Sequence, residues 1–318
     1  MTDTRDDRFP ATRRDLVKLA LGASAGAGLA APAALVRAQA AATPVAASAP
    51  TAAANQTVRV GDIDIAYRIL GQGEPLLMVM GSQATMDLWD PTLLDRLASR
   101  YLVVLFDNRG IGGTTGTGPY PFTQLADDTV GLIQALGLGQ PNVLGWSMGG
   151  SVALDLALRH PSAVRKAVLY GASAGGSNAV PPSPAVIAVL SDQSGTPQQR
   201  GERLLEILFP AEWARSHQAY IMRVFANAAP PATTAAAAGF QIQAIAQWSG
   251  VADRLAQAQP PTMIVHGMDD VITPPQNAQI LADGIPGSWL IRLAGAGHGA
   301  MYQEPKRFAA LVDAFFAG

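Results

Sequence analysis

The chain has 318 residues, of which 49% are hydrophobic and 14% charged, enough apolar side chain for a large core and too much for disorder throughout. Its formal net charge is −2 and it has no long basic run, so composition argues against a nucleic-acid partner. It has no cysteine, which excludes disulfides, thiolate metal sites, a cysteine nucleophile and a lipidated cysteine.

The first forty residues stand apart. In "ATRRDLVKLALGASAGAGLAAPAALVRAQA", Arg13-Arg14 precede a weakly apolar Ala/Gly/Leu stretch that closes on Ala38-Gln39-Ala40. This resembles a twin-arginine export signal with cleavage after Ala40, which implies the twin-arginine translocase as a partner during export and a periplasmic or secreted product. The alternative is an uncleaved anchor helix, but the Gly/Ala content and Pro32 make a poor membrane span. Cleavage would leave no stable membrane association. Residues 41–55 are a low-complexity linker without the apolar side chains to pack a core.

From there the chain alternates. "TVRVGDIDIAYRIL" carries two alternating runs about Gly61-Asp62, a hairpin signal. Short continuous apolar runs follow: "PLLMVMG", "YLVVLFD", "NVLGWS", "KAVLYGAS" and "TMIVHG". Such runs suit strands buried on both faces, as in a parallel sheet. Helical patterns lie between them: "MDLWDPTLLDRLASR", "FTQLADDTVGLIQALGL" and "MGGSVALDLALRHP". The chain closes with "PPQNAQILADGI", "SWLIRLAG" and "EPKRFAALVDAFFAG", which read as helix, strand and helix. Strand and helix in alternation predict an α/β fold with crossover connections, its mostly parallel sheet flanked by helices. Residues 177–255 break the rhythm. "TPQQRGERLLEILF", "PAEWARSHQAYIMRVFANA" and "ATTAAAAGFQIQAIAQW" read as helices with no strand between them. That length exceeds one crossover, so we expect a helical cap inserted into a core of residues 56–176 and 256–318.

"VLGWSMGG" (143–150) holds the chemistry. Gly145-Trp146-Ser147-Met148-Gly149 fits G-x-S-x-G between a strand and a helix. A serine on that sharp turn presents its hydroxyl at the C-terminal edge of the sheet, and close approach of strand and helix leaves no room for side chains at Gly145 and Gly149. A serine hydroxyl needs a base. Of four histidines, His160 ends a helix before Pro161, His217 lies in the cap, and His266 sits inside a strand as a core or turn residue. His298 lies in "AGAGHGAMYQEP", a glycine-rich loop after the last strand, on the serine's edge, and is the expected base. A carboxylate must orient it, and Asp269 and Asp270 of "HGMDDVITP" are both candidates.

These strings together resemble the α/β-hydrolase superfamily over residues 57–318, loosely in the cap. The family's order of nucleophile, acid and histidine falls on Ser147, Asp270 and His298. Its G-x-x-D-x-x-x-P loop fits Gly267, Asp270 and Pro274, which favours Asp270 as the acid and leaves Asp269 a turn or surface residue. The resemblance implies oxyanion donors at the backbone N–H of Met148 and Ser82. Met80-Gly81 replaces the family's "HG" before Ser82. Asp107-Asn-Arg-Gly110 resembles the family's D-x-R-G turn and implies structural roles for Asp107 and Arg109. "WSGVADRL" and "GAGHG" are similar to the cap-bearing branch of carboxylesterases, enol-lactonases and cofactor-free haloperoxidase-like enzymes. A serine nucleophile argues against the aspartate-using dehalogenases and epoxide hydrolases. "GIGGTTGTG" (110–118) opens no helix and is no phosphate loop.

The expected function is therefore hydrolysis of a small carboxylic ester or lactone through an acyl-enzyme, with no metal or organic cofactor. Perhydrolase or C–C bond hydrolase chemistry on the same triad is one alternative, and a non-catalytic ligand receptor on this scaffold is another. The cap supplies Phe209, Trp213, Tyr220, Met222, Phe225, Phe240 and Trp248, as pocket lining or as its own core.

Overall fold

The computed structural model describes residues 54–192, 194–227 and 234–318. The expected export signal and nearly all of the linker lie outside the described residues.

Gln56–Val60 (β1) and Ile63–Leu70 (β2) form the antiparallel hairpin, turning at Gly61 with φ 54°. The other strands are Glu74–Val79 (β3), Tyr101–Phe106 (β4), Asn142–Trp146 (β5), Ala167–Tyr170 (β6), Thr262–Gly267 (β7) and Trp289–Leu293 (β8). They make one sheet in the order β1-β2-β4-β3-β5-β6-β7-β8. β2 meets β4 antiparallel, and every pairing from β4 to β8 is parallel.

The continuous apolar runs have a direct cause. Alternate residues of a strand face opposite sides of the sheet, and here both sides are covered. Leu77, Val79, Val143, Leu169 and Ile264 pack on one side against the helices Thr123–Ala135 (α2), Met148–Arg159 (α3) and Gln276–Gly284 (α9). Leu76, Met78, Leu144, Val168 and Met263 pack on the other against Pro91–Ala98 (α1) and Pro305–Ala317 (α11). Burying one such side chain contributes about 1.5–3 kcal/mol.

Residues 177–255 hold Pro184–Ser191 (α4), Pro197–Leu208 (α5), Ala211–Ser216 (α6), Gln218–Asn227 (α7) and Ala235–Gln247 (α8), with no strand among the described residues. They belong to the same compact unit as the sheet, Ala53–Gly318. A four-residue helix, Ala300–Gln303 (α10), precedes α11. Among the described residues no helix is long and apolar enough to cross a membrane.

Two helix readings need correction, and one helix was not read. The stretch 86–100 is not one helix: a short 3₁₀ turn, Met86–Leu88, precedes α1. Asp90 caps α1 by accepting the Leu93 N–H at 2.8 Å, and Pro91 disfavours helical backbone at the residue before it. The stretch 210–228 divides into α6 and α7 at His217, whose φ of −118° and ψ of 23° leave the helical region. Helix α4 was not anticipated. Its sequence, "PAVIAVLS", has no polar face and so no 3.6-residue period, while Ser183 caps it through the Val186 N–H.

Candidate active site

Ser147 joins β5 to α3 with φ 57° and ψ −122°, a backbone conformation rare for a non-glycine residue. Its N–H donates to Tyr170 O at 2.7 Å, which ties the turn to the end of β6. A Cβ at Gly145 would lie 2.1 Å from Gly149 O, and one at Gly149 would lie 2.1 Å from Val79 O. Both glycines are therefore required by the turn. Gly81 faces the serine: a Cβ there would stand 3.3 Å from Ser147 Cβ and 3.9 Å from its Oγ. Ser82 thus follows a glycine that lies against the serine, and Met148 opens α3 immediately after Ser147.

His298 and Asp270 meet on the same edge. His298 Nδ1 donates to Asp270 Oδ2 at 2.7 Å, leaving Nε2 as the nitrogen open to other chemistry. Asp270 Oδ1 accepts the N–H groups of Ile272 at 2.9 Å and Thr273 at 2.8 Å, so the carboxylate is fixed from both oxygens. Each residue is only 3% exposed. Asp269 is exposed and holds the loop through its N–H to Ala296 O at 2.9 Å. Of the two aspartates, Asp270 is the one that meets His298. Gly171, next to Tyr170, brings the halves together: a Cβ there would lie 3.2 Å from His298 Cε1.

The sequence did not disclose what holds His298. Its carbonyl accepts from Trp146 Nε1 at 3.1 Å and from Tyr170 Oη at 2.5 Å. Tyr170 Oη in turn accepts the Met301 N–H at 3.1 Å. The glycines that flank the histidine answer to the insertion. A Cβ at Gly299 would meet Phe209 Cε1 at 2.4 Å, and one at Gly297 would meet Leu208 O at 2.6 Å. The Gly299 N–H donates to Leu208 O at 2.9 Å.

The other histidines have other partners. His160 Nε2 lies 3.1 Å from Asp127 Oδ1 at the end of α3, and exposed His217 stacks on Trp213 at 4.3 Å between ring centroids. His266 is wholly buried. Its Nε2 donates to Thr273 O at 2.7 Å, while its Nδ1 is buried without a hydrogen-bond partner. It is thus only half satisfied. Burial holds its pKa below the usual imidazole value, against the pull of Asp270, whose Oδ2 lies 3.5 Å from Nε2.

Asp107 and Arg109 have structural partners. Asp107 accepts the N–H groups of Met86 at 2.8 Å and Gly113 at 2.9 Å. Arg109 donates to both Asp62 and Asp128, at 2.7 to 3.0 Å. The aromatics of the insertion mostly pack with one another or with the core. Phe209 stacks on Trp213 at 4.9 Å, Phe225 lies 5.2 Å from Tyr302, and Trp248 stacks on Phe122 at 4.0 Å. Tyr220 donates its hydroxyl to the buried Asp90. Met222 and Phe240 are half-buried. Among the described residues no group of three His, Asp or Glu could hold a metal ion.

Residues 74–305 match the family described as the alpha/beta hydrolase fold. The chain belongs to that family. It is 32% identical to a 2-hydroxymuconate semialdehyde hydrolase of Pseudomonas sp. (strain CF600), over 78% of this chain and 88% of that one. It is 26% identical to an Azorhizobium caulinodans protein with the provisional name carbamate hydrolase RutD, over 80% of this chain and 96% of that one. An alpha/beta hydrolase fold protein from Chitinophaga pinensis superposes with a TM-score of 0.73 at 29% identity, covering 84% of this chain and 98% of that one. The chain is accordingly a hydrolase by family.

Proposed function

We propose that this hydrolase cleaves a small carboxylic ester or lactone through an acyl-enzyme on Ser147. The observation that carries the reading is the 2.7 Å bond from His298 Nδ1 to a doubly anchored Asp270, on the edge where the strained Ser147 turn emerges. His298 Nε2 takes the serine proton as Oγ bonds to the substrate's carbonyl carbon. The carbonyl π pair moves onto oxygen, and the N–H groups of Ser82 and Met148 receive the oxyanion. As the intermediate collapses, the alcohol leaves with the proton from His298. Water then attacks the acyl carbon and gives a proton to the same nitrogen; the second intermediate collapses, Ser147 Oγ leaves and takes that proton back from His298, and the acid departs.

C–C bond hydrolysis on the same residues is the second reading, favoured by the similarity to a hydrolase named for 2-hydroxymuconate semialdehyde. Turnover of aryl esters, lactones and an enol-keto acid side by side separates the two. Wild-type protein should take a fluorophosphonate label at one site per chain, and Ser147→Ala should remove it while remaining folded. Full labelling of Ser147→Ala would place the nucleophile elsewhere.

We also propose export through the twin-arginine route, on the Arg13-Arg14 and Ala38-Gln39-Ala40 signals.

A further inference from the structure

Gln83 is, with Ser147, one of two described non-glycine residues at positive φ, here 61°. It follows Ser82 in the segment whose Gly81 lies against the serine. Core residues hold that segment on either side: Asn108 Nδ2 donates to Met80 O at 3.0 Å, and Asp107 takes the Met86 N–H. The middle is held from the insertion. Gln241 of α8 places Oε1 2.7 Å from the Gln83 N and 3.4 Å from Ser82 Oγ, accepting from both.

Helix α8 is built for this contact. Its buried residues are Ala238, Gln241 and Ala244, three apart, so small side chains flank one long amide on a single face. Gln241 is 0% exposed, and its Nε2 has no hydrogen-bond partner within bonding geometry, although it faces the equally buried Tyr120 hydroxyl. An apolar residue would be the ordinary choice for such a position. The amide is instead spent on one strained peptide beside the proposed oxyanion donor.

We infer that Gln241 is a positioning residue of the insertion, fixing the Ser82–Gln83 peptide so that the Ser82 N–H points to the developing oxyanion. This rests on the proposed role of Ser82. Drawing that donor back by even a fraction of its bond length weakens a contact made chiefly in the transition state, so the loss belongs in kcat.

The test uses the mature enzyme, an aryl ester and an alkyl trifluoromethyl ketone, which forms a hemiketal oxyanion on a nucleophilic serine. Gln241→Met removes the acceptor at similar volume. Gln241→Asn keeps an amide but withdraws it by one methylene, and serves if the first variant folds poorly. Both should lower kcat roughly 10- to 100-fold per folded active site, leave KM within about threefold, and weaken the ketone by the same factor as kcat/KM. A fall in melting temperature with kcat unchanged overturns the inference, because Gln241 is then only a packing residue. A rise in KM alone also overturns it. Wild-type enzyme that forms no Ser147-dependent ketone adduct overturns the parent reading instead, and this one with it.

Discussion

At the scale of single residues, the sharpest contrast is between neighbours. Asp270 is buried on His298, while Asp269 is exposed one residue before it. Asp270→Asn keeps the shape but favours the wrong imidazole tautomer, so kcat on one ester should fall about 10²–10⁴-fold. Asp269→Asn should cost less than about tenfold. The reverse order, with both variants folded, would reassign the acid. His266 makes a different prediction. Burial keeps its folded pKa below 6.5, so below that pH the unfolded chain binds more protons than the folded one. Its contribution is therefore complete above the unfolded value and lost as pH falls from there through the lowered folded value. Denaturant titrations from about pH 7 to about pH 5 should show stability falling, and His266→Gln should flatten that slope. An unchanged slope would assign the pH dependence to other groups. Ser147, His298 and the pair Asp269/Asp270 were legible in the sequence because a G-x-S-x-G turn and glycine-rich loops after strands are local signals. Trp146, Tyr170 and Gln241 were not, because each acts on a backbone group far away in sequence, and neither residue type nor spacing marks such a partner.

At the scale of elements, the strands were legible where both faces are buried, since such strands read as short continuous apolar runs. The helices were less so. The notch at Asp90-Pro91 and the break at His217 are set by capping and local geometry, which a hydrophobic period runs straight over. Helix α4 has no period to read. The loop between β8 and α10 was legible as glycine-rich, but the reason lies in the insertion, whose Leu208 and Phe209 occupy the space a side chain would need. Gly299→Ala should thus drive the loop off Phe209, lowering kcat at least tenfold and the melting temperature by several degrees. Adding Phe209→Leu should recover part of both losses. Equal defects in the single and double variants would place the strain elsewhere.

At the scale of the whole molecule, the alternation of runs and helical patterns made the α/β sheet legible, and the strand order was not, because pairing is decided in space. The export reading makes its own prediction. Arg13-Arg14→Lys-Lys should hold the precursor in the cytoplasm, since a receptor reads the paired arginines rather than the bilayer. Undiminished mature protein in the periplasm, beginning near Ala41, would refute it. The seam between Leu208–Phe209 and Gly297–Gly299 bears on how this family can be recombined. Residues 177–255 look on a linear map like an interchangeable cassette, to be exchanged between homologues for new specificity. The seam ties the cassette to the histidine loop by contact: a graft cut at 177 and 255 would set a foreign side chain in place of Phe209 against Gly299 and a foreign backbone in place of Leu208 against Gly297. A working chimera has to carry its own histidine loop along with its helices.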